Sequence, residues 1–182
     1  MRKVLLLSLL AIAACMQKPV PAPAATTGAC LADGQGSLEA QLRGALDADL
    51  DWQDAQMQCD GDLRPDGGGL RITLVGPLDA TRQLRFIFGI DLADAAEGPA
   101  QALPTNLTVL VEGEATLFAT RGADKCAVED LARSAIGAGL ERVSGRGYCL
   151  GPASDLNGEQ RVLVPTFSFT TQVRTAPAQD AQ

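Results

Sequence analysis

Histidine is missing from the whole sequence, and this absence bears most directly on function. Histidine is the commonest general base in enzymes and the commonest transition-metal ligand in proteins. Catalytic triads built on histidine and zinc sites built on imidazole are therefore excluded. Carboxylate pairs and serine–lysine pairs remain chemically open, but GxSxG, HExxH and SxxK motifs do not occur. We therefore expect a protein that is not an enzyme and that holds neither a cofactor nor a metal.

Positive charge is also scarce. The chain has 15 lysine and arginine residues against 22 aspartate and glutamate residues, so its formal net charge is −7. Proteins that bind nucleic acid gain most of their affinity by neutralising phosphates with basic side chains. An acidic chain without a basic stripe is therefore not expected to bind nucleic acid, nor to adsorb electrostatically to anionic lipid.

One apolar run stands out, at residues 4–14, and it is too short for the about 20 residues that cross a bilayer. Arg2 and Lys3 precede it and Cys15 follows it. A charged start, a short apolar core and a small-residue exit are typical of a secretory signal peptide. The final residues, Ile-Ala-Ala-Cys, resemble the bacterial lipobox.

The lipobox resemblance implies that residues 1–14 are removed and that Cys15 carries acyl chains, which hold the protein at a membrane. Met16 stands where lipoproteins of the inner membrane often carry aspartate. The resemblance therefore implies sorting to the outer membrane, facing the periplasm. The alternative is an ordinary cleaved signal peptide followed by an incidental cysteine.

The rest of the chain divides by composition. Residues 15–29 are rich in proline and alanine and predict a lipid-anchored tether. Residues 30–174 are long enough for a single globular domain. Residues 175–182 predict a flexible tail.

Four cysteines remain after Cys15 is set aside, namely Cys30, Cys59, Cys126 and Cys149. An even number in an exported chain indicates disulfides, because the periplasm oxidises thiols. We favour Cys30–Cys59 and Cys126–Cys149 because each pair would close a short local loop around a predicted helix. A redox pair or a site of four thiolates for a metal is the alternative.

Apolar periodicity predicts an α+β fold, with an antiparallel sheet of five to seven strands and two short helices. The first helix is placed at 37–50, where Leu38, Leu42 and Leu46 recur at helical spacing. The second begins with Asp124 and ends at Gly137. Alternating segments predict strands, and a proline-bearing acidic segment predicts an exposed loop at 93–104. The predicted strands lie at 70–75, 83–92, 107–111, 116–120, 141–150 and 160–173, the last being one long strand or a strand pair bent at Pro165.

The order cysteine, helix, cysteine, glycine, strand occurs twice along the chain, starting at Cys30 and at Cys126. This pattern suggests an internal duplication.

Two acidic segments and one aromatic residue are candidate sites. Asp60, Asp62 and Asp66 could chelate calcium, although aspartate, proline and glycine are also ordinary turn residues. Trp52 predicts core packing, with an exposed contact anchor as the alternative. The second acidic segment predicts a solvated helix end, or else a docking face for a basic partner; it contains Asp47, Asp49, Asp51 and Asp54.

No complete catalytic arrangement occurs, so we expect a non-catalytic cell-envelope lipoprotein that binds a protein or another envelope component. One alternative is an envelope enzyme using a carboxylate pair drawn from Asp60, Asp62 and Asp66. The other is a carrier that holds a small ligand on the apolar face of its sheet.

Overall fold

The structure is a computed structural model, and it describes residues 30–92, 102–122, 125–137 and 139–175. The predicted signal peptide at 1–14, Cys15 and the tether at 15–29 lie outside the described residues. So do most of the predicted loop at 93–104 and all of the predicted tail except Thr175.

The described part of the chain is almost entirely β-structure. Its helical residues are confined to one 3-10 turn, Asp54–Gln56. Twelve strands make up the fold: β1 Ser37–Gly44, β2 Ala48–Gln53, β3 Gln58–Leu63, β4 Gly69–Pro77, β5 Gln83–Asp91, β6 Leu103–Val111, β7 Leu117–Ala119, β8 Cys126–Gly137, β9 Leu140–Cys149, β10 Ala153–Ser154, β11 Arg161–Leu163 and β12 Phe167–Arg174.

These strands form one mixed sheet that closes on itself. The pairings run from β3 through β4, β5 and β6, pass to β8 and β9, and reach β12. Strand β12 then returns to β3 through a parallel bridge between Arg174 and Asp62. The hairpin of β1 and β2 joins this circuit through antiparallel pairing of β1 with the first half of β12.

The predicted α+β fold is wrong, because both predicted helices are strands. Residues 37–50 form β1, a turn and the start of β2. Leu38 and Leu42 are four residues apart, a spacing that fits a strand as well as a helix, and the buried Ala40 between them completes the alternation. Residues 126–137 form β8, which pairs with β9 and so satisfies its backbone in a ladder.

The strands predicted from alternation are confirmed. Segments 70–75 and 83–92 correspond to β4 and β5, and 107–111 and 116–120 to the hairpin of β6 and β7. The segment 160–173 is a strand pair, β11 and β12, interrupted around Pro165. Leu103 and Pro104, which the sequence placed in a loop, begin β6.

A single core fills the space between the inner faces of the strands. Phe86 and Phe88 of β5 are fully buried, and the Phe88 ring lies 5.0 Å from that of Phe167 on β12. Trp52 is only 2% exposed and meets Phe86 edge to face, so its predicted core packing is confirmed. Its indole nitrogen donates a hydrogen bond to the carbonyl of Pro77.

The two favoured disulfides, Cys30–Cys59 and Cys126–Cys149, are both present. Neither disulfide encloses an α-helix, so the argument that led to them was wrong. Cys126 and Cys149 are direct neighbours across the β8–β9 ladder, whereas β1 and β2 separate Cys30 from Cys59. The predicted duplication is therefore wrong as well, since the two cysteine-bounded segments have different architectures.

Candidate functional site

A cleft of about 740 Å3 opens on the outer surface of strands β1, β2, β8, β9 and β12. Its lining mixes polar and apolar residues, and its charged side chains are four carboxylates and one arginine, beside the only tyrosine of the chain. The lining residues are Glu39, Ala40, Gln41, Asp49, Leu50, Asp51, Glu129, Arg146, Gly147, Tyr148, Thr166, Phe167 and Ser168. We call this surface the acidic cleft.

Strand register brings five outward side chains into one row across the acidic cleft. Asp51 of β2 stands opposite Glu39 of β1, and Glu39 opposite Ser168 of β12. Ser168 in turn stands opposite Arg146 of β9, and Arg146 opposite Glu129 of β8. Side chains directly opposite each other in antiparallel strands are in contact range. Residues far apart in the chain therefore form one continuous polar strip.

Small residues bring the strands beneath this strip together. A Cβ atom on Gly147 would lie 2.3 Å from Cζ of Phe167 and 2.5 Å from the carbonyl oxygen of Ala127. Glycine lets the aromatic ring of β12 lie directly against the backbone of β9. The Ser-Gly-Arg-Gly segment at 144–147, which is not a phosphate loop, thus turns its glycines inward and Arg146 outward.

The β1–β2 side of the acidic cleft has more negative charge than its neighbours neutralise. Asp49 forms an ion pair with Arg43 at 2.6 Å. Asp51 accepts a hydrogen bond from the neutral amide of Gln53. Among the described residues, no ion pair or side-chain hydrogen bond involves Glu39. Like charges directly opposite each other are unfavourable, so Glu39 and Asp51 repel each other.

The β8–β9 side contains the one cation of the cleft, and that cation is already paired. The Arg146 guanidinium donates a hydrogen bond to the Asp130 carboxylate, and this contact raises the pKa of Arg146. Glu129 adds a second negative charge beside it. Asp130 has a φ of 52° at an irregularity in the β8–β9 register, and this bend turns its carboxylate towards Arg146.

The carboxylates at Asp60, Asp62 and Asp66 lie elsewhere, on and after β3. Arg174 donates to Asp60 at 2.5 Å and to Asp62 at 2.8 Å, and these contacts raise its pKa. Asp66 accepts from the backbone of Gly68 and from Arg64, which lowers its pKa. Within the described ranges, no group of three or more acidic or cysteine side chains is arranged to hold a metal.

The second acidic segment divides between two roles. Asp49 and Asp51 line the acidic cleft, and Asp47 is exposed at the β1–β2 turn. Asp54 is 5% exposed and accepts backbone N–H groups from Leu31 at 2.9 Å, from Gly36 at 3.0 Å and from Cys30 at 3.2 Å. Its carboxylate therefore holds the N-terminal turn against the end of β2.

The sequence did not single out Glu39, Glu129, Arg146 or Tyr148 as site residues. A usable signal was the alternation of polar residues at 37, 39 and 41 with apolar ones at 38, 40 and 42. The pairing of β1 with β12 joins residues more than 100 positions apart and has no local signature.

No helix in the described ranges is long and apolar enough to cross a membrane. Comparison with models of known protein families found no match. Comparisons with curated proteins and with solved structures found no similar protein either. A proposal about function therefore depends on the acidic cleft and on the lipobox resemblance.

Proposed function

We propose that this chain is a cell-envelope lipoprotein, anchored to the outer membrane through acylated Cys15, whose β-domain binds a protein partner without catalysis. The observation that carries the binding role is the acidic cleft. It is a concave surface built from five strands, and it carries carboxylates that no cation among the described residues neutralises.

Competing functions receive less support from the described residues. The enzyme alternative depended on Asp60, Asp62 and Asp66, and their carboxylates are engaged by Arg174 and Arg64. The carrier alternative needed the apolar face of the sheet. The side chains of that face pack against one another, with Phe86 and Phe88 fully buried.

Photocrosslinking in intact cells tests the binding role. A photoreactive phenylalanine derivative at Gln41, which is exposed in the acidic cleft, should give a specific crosslinked protein. The matched control is the same residue at Asn106, which is exposed on β6 away from the cleft. Capture at Gln41 alone supports the proposal. Capture at neither position, or equally at both, would contradict it.

Metabolic labelling with a radioactive fatty acid tests the anchor separately. Label should enter the native chain and be lost in a Cys15→Ser variant, because the sulfur that accepts the acyl chains is then missing. Label that persists in this variant would refute the lipid assignment while leaving the binding role open to the crosslinking test.

A further inference from the structure

The acidic cleft has a charge and a shape that indicate what kind of partner segment it accepts. Its lining carries four carboxylates, those of Glu39, Asp49, Asp51 and Glu129, against the single guanidinium of Arg146. Arg43 neutralises Asp49, and Asp130 engages Arg146. Glu39, Asp51 and Glu129 therefore remain to attract positive charge, and phosphate-bearing ligands are repelled.

The remaining carboxylates lie at the two ends of the strip. Glu39 and Asp51 lie on β1 and β2, and Glu129 lies on β8. Strands β12 and β9 separate β1 from β8. Because neighbouring strands lie about 4.8 Å apart, three spacings place Glu129 about 14 Å from Glu39, and β2 lies about 19 Å from β8.

That length matches a short extended polypeptide. At about 3.3 Å per residue, six residues cover the strip, and two side chains four positions apart lie about 13 Å from each other. Between the ends, Ser168 and Thr166 offer hydroxyl groups to a polar backbone. Tyr148 offers a ring face, which attracts ammonium and guanidinium groups.

We infer that the acidic cleft binds an extended segment of the partner protein with two basic side chains about four residues apart. One basic side chain lies at Glu39, on the side of Asp51, and the other lies at Glu129, on the side of Tyr148. This inference rests on the proposed binding function, and it adds the chemistry and spacing of the bound segment.

Fluorescence anisotropy with the full mature chain in detergent tests the spacing. The probe is a labelled six-residue peptide of serine and threonine with lysine at positions 1 and 5. A second peptide has its lysines at positions 1 and 2, and a third has glutamate at positions 1 and 5. We expect the first to bind most tightly at low salt, the second more weakly, and the third not at all.

A double variant tests the location. Glu39→Gln with Asp51→Asn should weaken binding of the first peptide by between about twofold and thirtyfold, the range expected for removing two exposed ion pairs. The matched control, Glu114→Gln with Glu159→Gln, removes the same charge from exposed residues outside the cleft and should change affinity by less than twofold.

Equal losses in the two double variants would overturn the inference, because binding would then follow net charge alone. Equal affinity for the two lysine spacings, or displacement of the peptide by spermidine at the peptide's own concentration, would also overturn it. Failure of the peptide assay together with capture at Gln41 rejects only this inference. Failure of the Gln41 crosslink rejects the proposed function itself.

Discussion

Two faces of the molecule differ in how far ion pairs within the chain neutralise their carboxylates. On the outer surface of β3 to β6, which we call the paired face, Arg85 meets Glu112 at 2.5 Å, and Arg174 meets both Asp60 and Asp62. On the acidic cleft, Glu39 stands opposite another carboxylate, that of Asp51. On the paired face, these carboxylates are neutralised by arginines of the chain itself. The acidic cleft keeps an unfavourable local arrangement, which is typical of a surface that a partner completes.

The largest expected effect comes from the disulfides, one of which lies beside each face. Replacing Cys126 and Cys149 by alanine should lower the free energy of unfolding by about 3.5 kcal/mol, as should replacing Cys30 and Cys59, because the loops are similar in length. Urea unfolding measures this loss.

Only removal of the Cys126–Cys149 disulfide should also increase local opening of the acidic cleft, because this disulfide joins β8 to β9, the strand that carries Arg146 and Tyr148. Hydrogen exchange at these two amides should accelerate in that variant and stay unchanged in the Cys30–Cys59 variant, measured where both remain folded. Similar acceleration in both variants would show that the Cys126–Cys149 disulfide does not stabilise the acidic cleft specifically.

A pair of glycine substitutions gives the next largest effect. Gly147→Ala should cost about 1 to 3 kcal/mol, because its Cβ atom would overlap Phe167 and the Ala127 carbonyl beneath the acidic cleft. Gly89→Ala on the paired face should cost less than about 1 kcal/mol, since its Cβ atom would meet only Asn106, at 3.8 Å or more. Chemical unfolding of both variants checks the contrast, and equal costs would contradict the close packing of β9 against β12.

Single charges should change stability in opposite directions on the two faces. Glu39→Gln should raise the free energy of unfolding by about 0.2 to 1 kcal/mol, because it relieves repulsion from Asp51. Arg85→Gln should lower it by a similar amount, because it breaks the pair with Glu112. Both effects should shrink in high salt, since these groups are partly exposed. A loss of stability in Glu39→Gln would indicate that Glu39 has an internal role and would weaken the proposed function.

The smallest effect concerns Asp33, whose carboxylate meets Arg142 of β9. The Arg142 guanidinium and the backbone of Gln35 lower the pKa of Asp33 from its ordinary value. A lowered carboxyl pKa contributes stability at pH values above the unfolded pKa, and this contribution is lost as the pH falls through the folded pKa.

In an NMR titration, Asp33 should therefore titrate below the usual value for aspartate, and its pKa should rise in Arg142→Gln. Arg133→Gln, which removes another arginine pair of the same hairpin, serves as the control and should leave Asp33 unchanged. A pKa that does not respond to Arg142→Gln would contradict the contact.

Much of the paired face could be predicted from the sequence. Strand β5 alternates over nine residues, residues 70–75 of β4 alternate in sequence, and Glu112-Gly113-Glu114 marks the turn after β6. The face with the acidic cleft was predicted less well, although β1 alternates over residues 37–42. Leu38, Leu42 and Leu46 satisfy a helical period over a short window, and the exposed half of β8 has no apolar pattern to reveal a strand.

The candidate site, too, could be predicted from the sequence only in part. Asp49 and Asp51 were predicted as part of an acidic segment at a helix end, whereas the structure places them on strand β2. Glu39 and Arg146 were not recognised as site residues, because nothing in their local sequence shows that β12 brings β1 beside β9. Asp54 belonged to the same run, yet its three backbone N–H contacts give it a structural role in the N-terminal turn.

The sequence by itself determined the chemistry that the chain has available, and the structure fixed which cysteines pair. The absence of histidine, the acidic balance and the four cysteines that remain beside Cys15 are properties of the sequence, which folding does not change. Tertiary structure decided that the chain is almost all β and that five distant residues form one strip. Strand pairing between segments more than 100 residues apart depends on burying their apolar faces in a common core, and no local window of sequence contains that information.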